Sequence, residues 1–310
     1  MMKKKLLIVG LLLFSTFSFS QEKTEKHTQR IISEILKTKQ EIIKTLNFPE
    51  DSIIFLTFWD FDGTIMKGDC SEGLENEKTK EVIYKGLAQI EIENGYSSVY
   101  PINEGSKKFF NDYYHMSETV GNWLALPYLI QIFRGSNLND VFSLAEKHFE
   151  YVLSKYFFKS SITTINTLES NGIQCHIMSA SPDIFVDAAA SSIGIPKERF
   201  NGIEVQIENE KITEKLIYPV TWGEGKPEKL KNIVNGLELQ NPNKIVIVLA
   251  AFGNSYSTDG PFMKDVALQK LPAGKPTTVM INGGNVPNEY KDIFVLVKQS
   301  EIVGVSKFDK

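Results

Sequence analysis

The sequence is poor in cysteine and histidine and has no block of basic residues. Only Cys70 and Cys175 are present, so no disulfide framework holds the fold together. The two can pair in an oxidising compartment. Cys175 lies in an apolar run that reads as a buried strand, which favours a free core thiol. The four histidines (His27, His115, His148 and His176) show no zinc-ligand spacing. His176 falls in a strand pattern and reads as a satisfied core residue. The lack of a basic block argues against a nucleic-acid partner. Gly-x-Ser-x-Gly, Gly-Lys-Ser/Thr and Gly-x-Gly-x-x-Gly are all missing, which removes the common serine-hydrolase, P-loop and dinucleotide readings. No internal repeat or low-complexity tract is visible, and no apolar run reaches the roughly 20 residues that a membrane helix needs.

What is present is ordinary globular composition: 310 residues, 42% hydrophobic and 23% charged. The first twenty residues stand apart. Lys3, Lys4 and Lys5 precede an apolar stretch from Leu6 to Phe14, with small residues at Ser18 and Ser20. This is the pattern of a cleavable export signal, with cleavage expected before Gln21 and a periplasmic or secreted mature protein. Losing those three lysines from 34 basic residues leaves 31 against 38 acidic ones, a net charge of −7.

From Glu22 to Leu46 the apolar residues Ile31, Ile32, Ile35, Leu36, Ile42, Ile43 and Leu46 have helical spacing. Asn47 and Pro49 end the pattern. The stripe predicts an amphipathic helix packed on the core, with a membrane surface as the less common use. Ser52 to Trp59 is apolar on both faces, as a central parallel strand is, and its carboxyl end delivers Asp60. Residues 66 to 160 are helix-rich and aromatic, without a clear buried strand. Strands alternating with helices resume after 160: Ile173 to Met178, Lys244 to Phe252, Thr277 to Ile281 and Phe294 to Val297. The organisation expected is an export signal at 1–20 and an N-terminal helix at 21–49. A doubly wound parallel-sheet, Rossmann-like α/β core follows at 50–65 and 161–310, interrupted by a helical cap at 66–160. Ligands bind beyond the carboxyl ends of such strands, so the polar clusters after Trp59, Met178 and Phe252 should converge.

The first cluster is Asp60-Phe61-Asp62-Gly63-Thr64. Two aspartates one residue apart at a buried strand end repel each other unless a cation intervenes. Magnesium prefers hard oxygen ligands and takes one or two carboxylates plus substrate phosphate. Gly63 permits a sharp turn, and Thr64 offers a hydroxyl or starts a helix. By itself an Asp-x-Asp pair is more often a solvated helix cap.

With its partner clusters the run resembles the haloacid dehalogenase-like hydrolase superfamily, in its phosphoserine phosphatase-like branch. The resemblance covers residues 50 to about 265, most weakly in the cap. The second motif is Ser179-Ala180-Ser181-Pro182. The third is Gly223-Glu224-Gly225-Lys226, preceded by a paired-strand segment from Gly202 to Pro219. The fourth is Gly253-Asn254-Ser255, with Asp259 and Gly260 following.

The resemblance implies a role for each residue. Asp60 attacks phosphorus to form an aspartyl-phosphate. Asp62 protonates the leaving alcohol and then activates water; its presence argues against dehalogenation. Ser179 and Lys226, with Thr64 and Ala180, surround the phosphoryl group. Asp60, the backbone carbonyl of Asp62, Asn254 and Asp259 hold Mg2+. The fourth motif departs from the branch, which usually has Gly-Asp where this chain has Gly253-Asn254. The amide can ligate but brings no charge.

Two cap residues are candidate substrate contacts. Asp69, nine residues after Asp60, sits where phosphoserine-type enzymes place an acidic contact, although loop aspartates are common. Arg134 suits a carboxylate or phosphate, or is simply the surface residue of an Arg-Gly-Ser turn. The cap aromatics either form a core or cage a quaternary ammonium. The expectation is an exported Mg2+-dependent phosphatase of a small phosphomonoester. A catalytically impaired phosphate- or ligand-binding protein and a phosphotransferase are the alternatives.

Overall fold

The computed structural model describes residues 2–283 and 286–306, with side chains described from Thr24 onward. The expected export signal at 1–20 therefore lies outside the described side chains. In chain order the elements begin with α1 (Met2–Leu46), β1 (Ile53–Trp59), β2 (Gly73–Glu75) and β3 (Val82–Lys85). The helices α2 (Leu87–Glu93), α3 (Gly105–Thr119), α4 (Asn122–Gln131), α5 (Leu138–Tyr151) and α6 (Lys159–Ser170) follow. Next come β4 (Ile173–Pro182), α7 (Asp183–Asp187), α8 (Ala190–Ile193), β5 (Phe200–Ile203), β6 (Val205–Glu208) and β7 (Lys211–Leu216). The last are α9 (Gly225–Gln240), β8 (Ile245–Gly253), α10 (Tyr256–Ala267), β9 (Thr277–Ile281) and β10 (Val295–Val297).

Six strands form one sheet in the order β10-β9-β8-β1-β4-β5, and every neighbouring pair is parallel. β1 is central and wholly buried, which explains its unbroken apolar run. Its alternate residues serve two cores. Ile53, Phe55 and Trp59 share one with Ile35 of α1 and Ile165 and Leu168 of α6. Ile54, Leu56 and Phe58 share the other with Leu230 of α9 and Phe262 and Met263 of α10.

The apolar stripe of α1 packs on the core as expected, with Ile31, Ile32, Ile35 and Ile42 buried. Lys39 fixes this docking. Its buried ammonium donates to Glu50 Oε1 at 2.5 Å and to the Asn171 carbonyl, and lies over the Phe55 ring. Among the described residues no helix is long and apolar enough to cross a membrane. Cys70 and Cys175 are both free and buried. His176 is buried as expected but not satisfied: neither ring nitrogen has a partner among the described residues.

Between β1 and α6 the chain forms the helical insert, α2 to α5, together with the small antiparallel β2–β3 pair. Its aromatics mostly build its own core. Tyr100, Phe109, Tyr113 and Tyr128 contact one another at ring separations of 5.5 to 6.5 Å. The entering and leaving segments run side by side. Lys67 N–H donates to the Tyr156 carbonyl, and Phe158 N–H to that of Ile65. A third tie comes from the β6–β7 hairpin, the paired strands expected before the third motif. Gly135 and Leu138 N–H groups donate to the Ile212 and Glu210 carbonyls, and Ile212 N–H donates to the Ser136 carbonyl.

Candidate active site

The ends of β1, β4 and β8 and the start of α9 converge, as the sheet order requires. Asp60 follows β1, and its N–H donates to the Phe252 carbonyl of β8. Its two carboxylate oxygens are separately fixed. Thr64 Oγ1 donates to Oδ2 at 2.8 Å, and Lys226 Nζ donates to Oδ1 at 2.8 Å. Lys226 is fully buried and also donates to Asp259 Oδ1 at 2.6 Å. Asp259 Oδ2 accepts the backbone N–H groups of Asn254 and Ser255, each at 3.0 Å. Both Asp259 oxygens are thus engaged by protein donors, and the residue sits behind Lys226 with no exposed surface.

Asp62 is held by a different set. Its Oδ1 accepts Cys70 N–H at 2.7 Å. Its Oδ2 accepts the hydroxyls of Ser181 at 2.7 Å and Ser179 at 3.2 Å, and the Cys70 thiol at 3.6 Å. Ser181 N–H in turn donates to Ser179 Oγ at 3.0 Å.

Two glycines make this approach possible. Gly63 has φ +75°, and a Cβ there would lie 1.9 Å from Asn254 Nδ2, so the Asn254 amide rests directly on the first-motif loop. A Cβ on Gly225 would lie 1.8 Å from the Val220 carbonyl oxygen. Only glycine lets α9 begin close enough for Lys226 to reach Asp60.

The electrostatics follow from burial. Desolvation, with the like charge of Asp259 next, pushes the Asp60 carboxyl up to about 7 against the opposing pull of Lys226. Burial also raises Asp62, opposed by its donors, first the Cys70 N–H and then the Ser181 hydroxyl. Burial acts to lower Lys226, but Asp259 and Asp60 outweigh it and leave its pKa raised. Asp60 and Asp259 therefore share the one buried ammonium, and Asp62 adds a third carboxyl close by. The surplus negative charge and the hard-oxygen donors of Asp60, Asp62 and Asn254 fit a magnesium ion.

Asp69 lies beside this network. Its carboxylate, that of Asp62 and the Cys70 sulfur lie within 4.8 Å of one another. Asp69 Oδ1 accepts the N–H groups of Ser71 and Glu72 at 2.7 and 2.8 Å. Burial, then Asp62 and Glu72, hold its carboxyl well above the usual range. A cleft of about 550 Å³ opens from Asp69, lined by Glu72, Glu75, Tyr84, Phe110 and Tyr114 among others. Arg134 is not part of this arrangement. It is exposed in the turn between α4 and α5, beside the β6–β7 hairpin, because Gly135 is drawn onto Ile212 there. Ala180 is half-buried within β4 next to Ser179.

A family model described as haloacid dehalogenase-like hydrolase matches residues 57–264. The chain belongs to this family. The match spans β1 to α10 and so covers all four clusters of the site. No curated protein matches the sequence. Among solved structures, a protein of unknown function from Bordetella pertussis Tohama I aligns with TM-score 0.57 and 11% identity, covering 79% of this chain and 98% of that one. A functionally unknown protein from Anaerococcus prevotii aligns with TM-score 0.51 and 13% identity, covering 77% and 82%. A substrate-bound phosphoserine phosphatase is also similar, at TM-score 0.44 and 16% identity, covering 78% and 92%. At these identities the likeness concerns the fold of the haloacid dehalogenase-like chain.

Several contributors to the site had no role assigned in sequence. Ser181 was legible in principle, because residues two apart on a strand share a face and Ser181 follows Ser179 by two. Cys70 and Glu72 are brought in by the turn after Asp69, which leaves no strong pattern. Gln299 gave no signal at all, yet its buried amide donates to the Thr64 carbonyl at 2.9 Å and steadies the first-motif loop.

Proposed function

We propose that this haloacid dehalogenase-like hydrolase is an exported, Mg2+-dependent phosphatase of a small phosphomonoester. The observation that carries the reading is the division between the two aspartates. Asp60 is fixed by an ammonium and a hydroxyl, as suits a nucleophile approaching phosphorus. Asp62 is fixed by neutral donors alone, with no cation holding it ionised, as suits an acid that gives up a proton.

In this mechanism an Asp60 oxygen bonds to phosphorus as the ester P–O bond breaks. Asp62 delivers its proton to the departing alkoxide. Lys226 offsets charge on the phosphoryl oxygens while Asp259 keeps it in line, and the Ser179 hydroxyl donates to one of those oxygens. Asp62, now a carboxylate, takes a proton from the water that attacks the aspartyl-phosphate. That step frees phosphate and restores Asp60. The Asp60 carboxylate, the Asp62 carbonyl and the Asn254 amide would hold Mg2+, which when bound supplies positive charge against the phosphoryl group.

An amino-alcohol or amino-acid phosphate is the substrate class that the cleft beside Asp69 supports. Its acidic side chains are set for a cationic leaving group. Glu72 accepts hydroxyl hydrogen bonds from Tyr113 and Tyr114, both at 2.9 Å, which orient its carboxylate beside the Tyr114 and Phe110 rings.

Turnover of p-nitrophenyl phosphate with magnesium, against an Asp60→Asn control, tests the activity. No excess over the control removes the phosphatase reading. Magnesium binding without turnover would favour the ligand-binding alternative, whose motive is the uncharged Asn254. A panel of phosphomonoesters tests the substrate class, and cell fractionation tests export.

A further inference from the structure

Ser179 has one hydroxyl proton but two calls on it. Here it donates to Asp62 Oδ2 at 3.2 Å, whereas the phosphatase chemistry needs it on a phosphoryl oxygen. When the hydroxyl turns to substrate, Asp62 loses a donor at the moment its carboxyl must be aimed at the leaving oxygen. Ser181 resolves the conflict. Its hydroxyl makes the shorter bond to the same oxygen, at 2.7 Å, and the residue is only 4% exposed. Its N–H independently holds Ser179 Oγ at 3.0 Å, which fixes the oxygen while leaving the proton free to swing. On the other side, the Cys70 N–H fixes Oδ1 at 2.7 Å and its thiol gives Oδ2 a weak additional contact at 3.6 Å.

We infer that Ser181 is a positioning residue: it holds the Asp62 carboxyl in line for proton delivery to the leaving alcohol and orients Ser179 for the phosphoryl group. The role rests on the phosphatase reading. Cys70 supports it chiefly through the backbone, so its thiol is the lesser contributor. Loss of the Ser181 hydroxyl leaves Asp62 with only the weak Cys70 thiol contact as a side-chain donor whenever Ser179 is on substrate. The carboxyl then swings off line, and the damage scales with how much the leaving group needs a proton.

The test compares two leaving groups in the full chain with magnesium. The quantity read is kcat/KM, which reports steps up to departure of the alcohol and excludes later hydrolysis of the aspartyl-phosphate. Nitrophenolate leaves with little help, whereas propanol from propyl phosphate needs the proton. Ser181→Ala should lower kcat/KM for propyl phosphate about tenfold more than for p-nitrophenyl phosphate, a partial loss of the roughly 100-fold or more that general-acid catalysis supplies. Ser181→Thr, which keeps the hydroxyl, should recover most of the difference. Equal losses on both substrates, or no recovery by threonine, would overturn the role. If Ser181→Ala does not fold, Ser181→Cys serves instead, its weaker donor giving a smaller shift of the same sign; equal losses there overturn the role too. If the unaltered protein hydrolyses neither ester, the phosphatase reading fails and this role falls with it. Turnover without a leaving-group effect removes the Ser181 role alone.

Discussion

Asp259 lies closer to Lys226 than Asp60 does: the ammonium is 2.6 Å from Asp259 Oδ1 and 2.8 Å from Asp60 Oδ1. Asp259 is itself anchored by the Asn254 and Ser255 N–H groups, so it ties the shared lysine to the start of α10. Asp259→Asn leaves a fully buried ammonium with one carboxylate. Breaking a buried pair in this way costs about 3 kcal/mol or more. The expected outcome is a lowered urea midpoint together with a large fall in kcat. A variant with an unchanged midpoint would show that the pair does not support the fold.

Asn254 rests on the Gly63 loop through its amide nitrogen, and the amide brings no charge to the site. Asn254→Asp should tighten the apparent magnesium affinity for activation by about tenfold, since affinity follows ligand charge. It should also lower the melting temperature in the absence of metal, because a further carboxylate joins the cluster. A magnesium titration of activity and metal-dependent melting check both parts. No change in magnesium requirement would remove Asn254 from the metal site.

His176 packs against Phe58, and burial holds its pKa down to about 4. In the unfolded chain the value returns to about 6.5. The folded state binds fewer protons between these values. The stability that this histidine contributes is thus present above about pH 6.5 and is lost as pH falls through 4. His176→Phe removes that dependence. The variant should gain on the unaltered protein as pH drops from 7 to 4.5, read by denaturant unfolding at each pH.

Glu91 on α2 shows the opposite sign. It has no exposed surface, and neither carboxylate oxygen has a partner among the described residues. Burial pushes it up to about 9. The folded state binds the extra proton, so this contribution is present below about pH 4.5 and is lost as pH rises through 9. Glu91→Gln should be more stable than the unaltered protein at pH 9 and close to it at pH 5. Parallel melting curves across that range would count against a protonated Glu91.

The parallel core was legible because its signals are local. The β1 segment is a continuous apolar run that stops at Asp60, and burial on both sheet faces selects such runs. The convergence of Asp60, Ser179, Lys226 and Asp259 was legible because the ends of parallel strands must share one edge of the sheet. What escaped depends on side-chain direction and distant contacts. Arg134 had suitable chemistry for a substrate contact, and its exposed place beside the hairpin contacts at Gly135 agrees with the other reading, a surface residue of the Arg-Gly-Ser turn. His176 read as a satisfied core residue because a strand pattern reports burial and says nothing about hydrogen-bond partners. Gln299 reaches the first-motif loop from a segment 235 residues away, which no spacing rule anticipates.

The seam between insert and core divides the two aspartates. Asp60 takes its side-chain partners from the core and the first-motif turn, at Thr64 and Lys226. Asp62 is gripped from both sides, by Ser181 in β4 and by Cys70 at the start of the insert. The insert leaves and returns through adjacent backbone segments, and further ties run to the β6–β7 hairpin and to α7, away from Asp60. A rigid shift of the insert would leave Asp60, the nucleophile of the proposed mechanism, in place and disturb Asp62, its acid. Changes in the insert should therefore alter which alcohols are released efficiently well before they weaken attack on phosphorus. On the proposed mechanism, leaving-group preference is the property that the insert can tune, and attack by Asp60 the one that it spares.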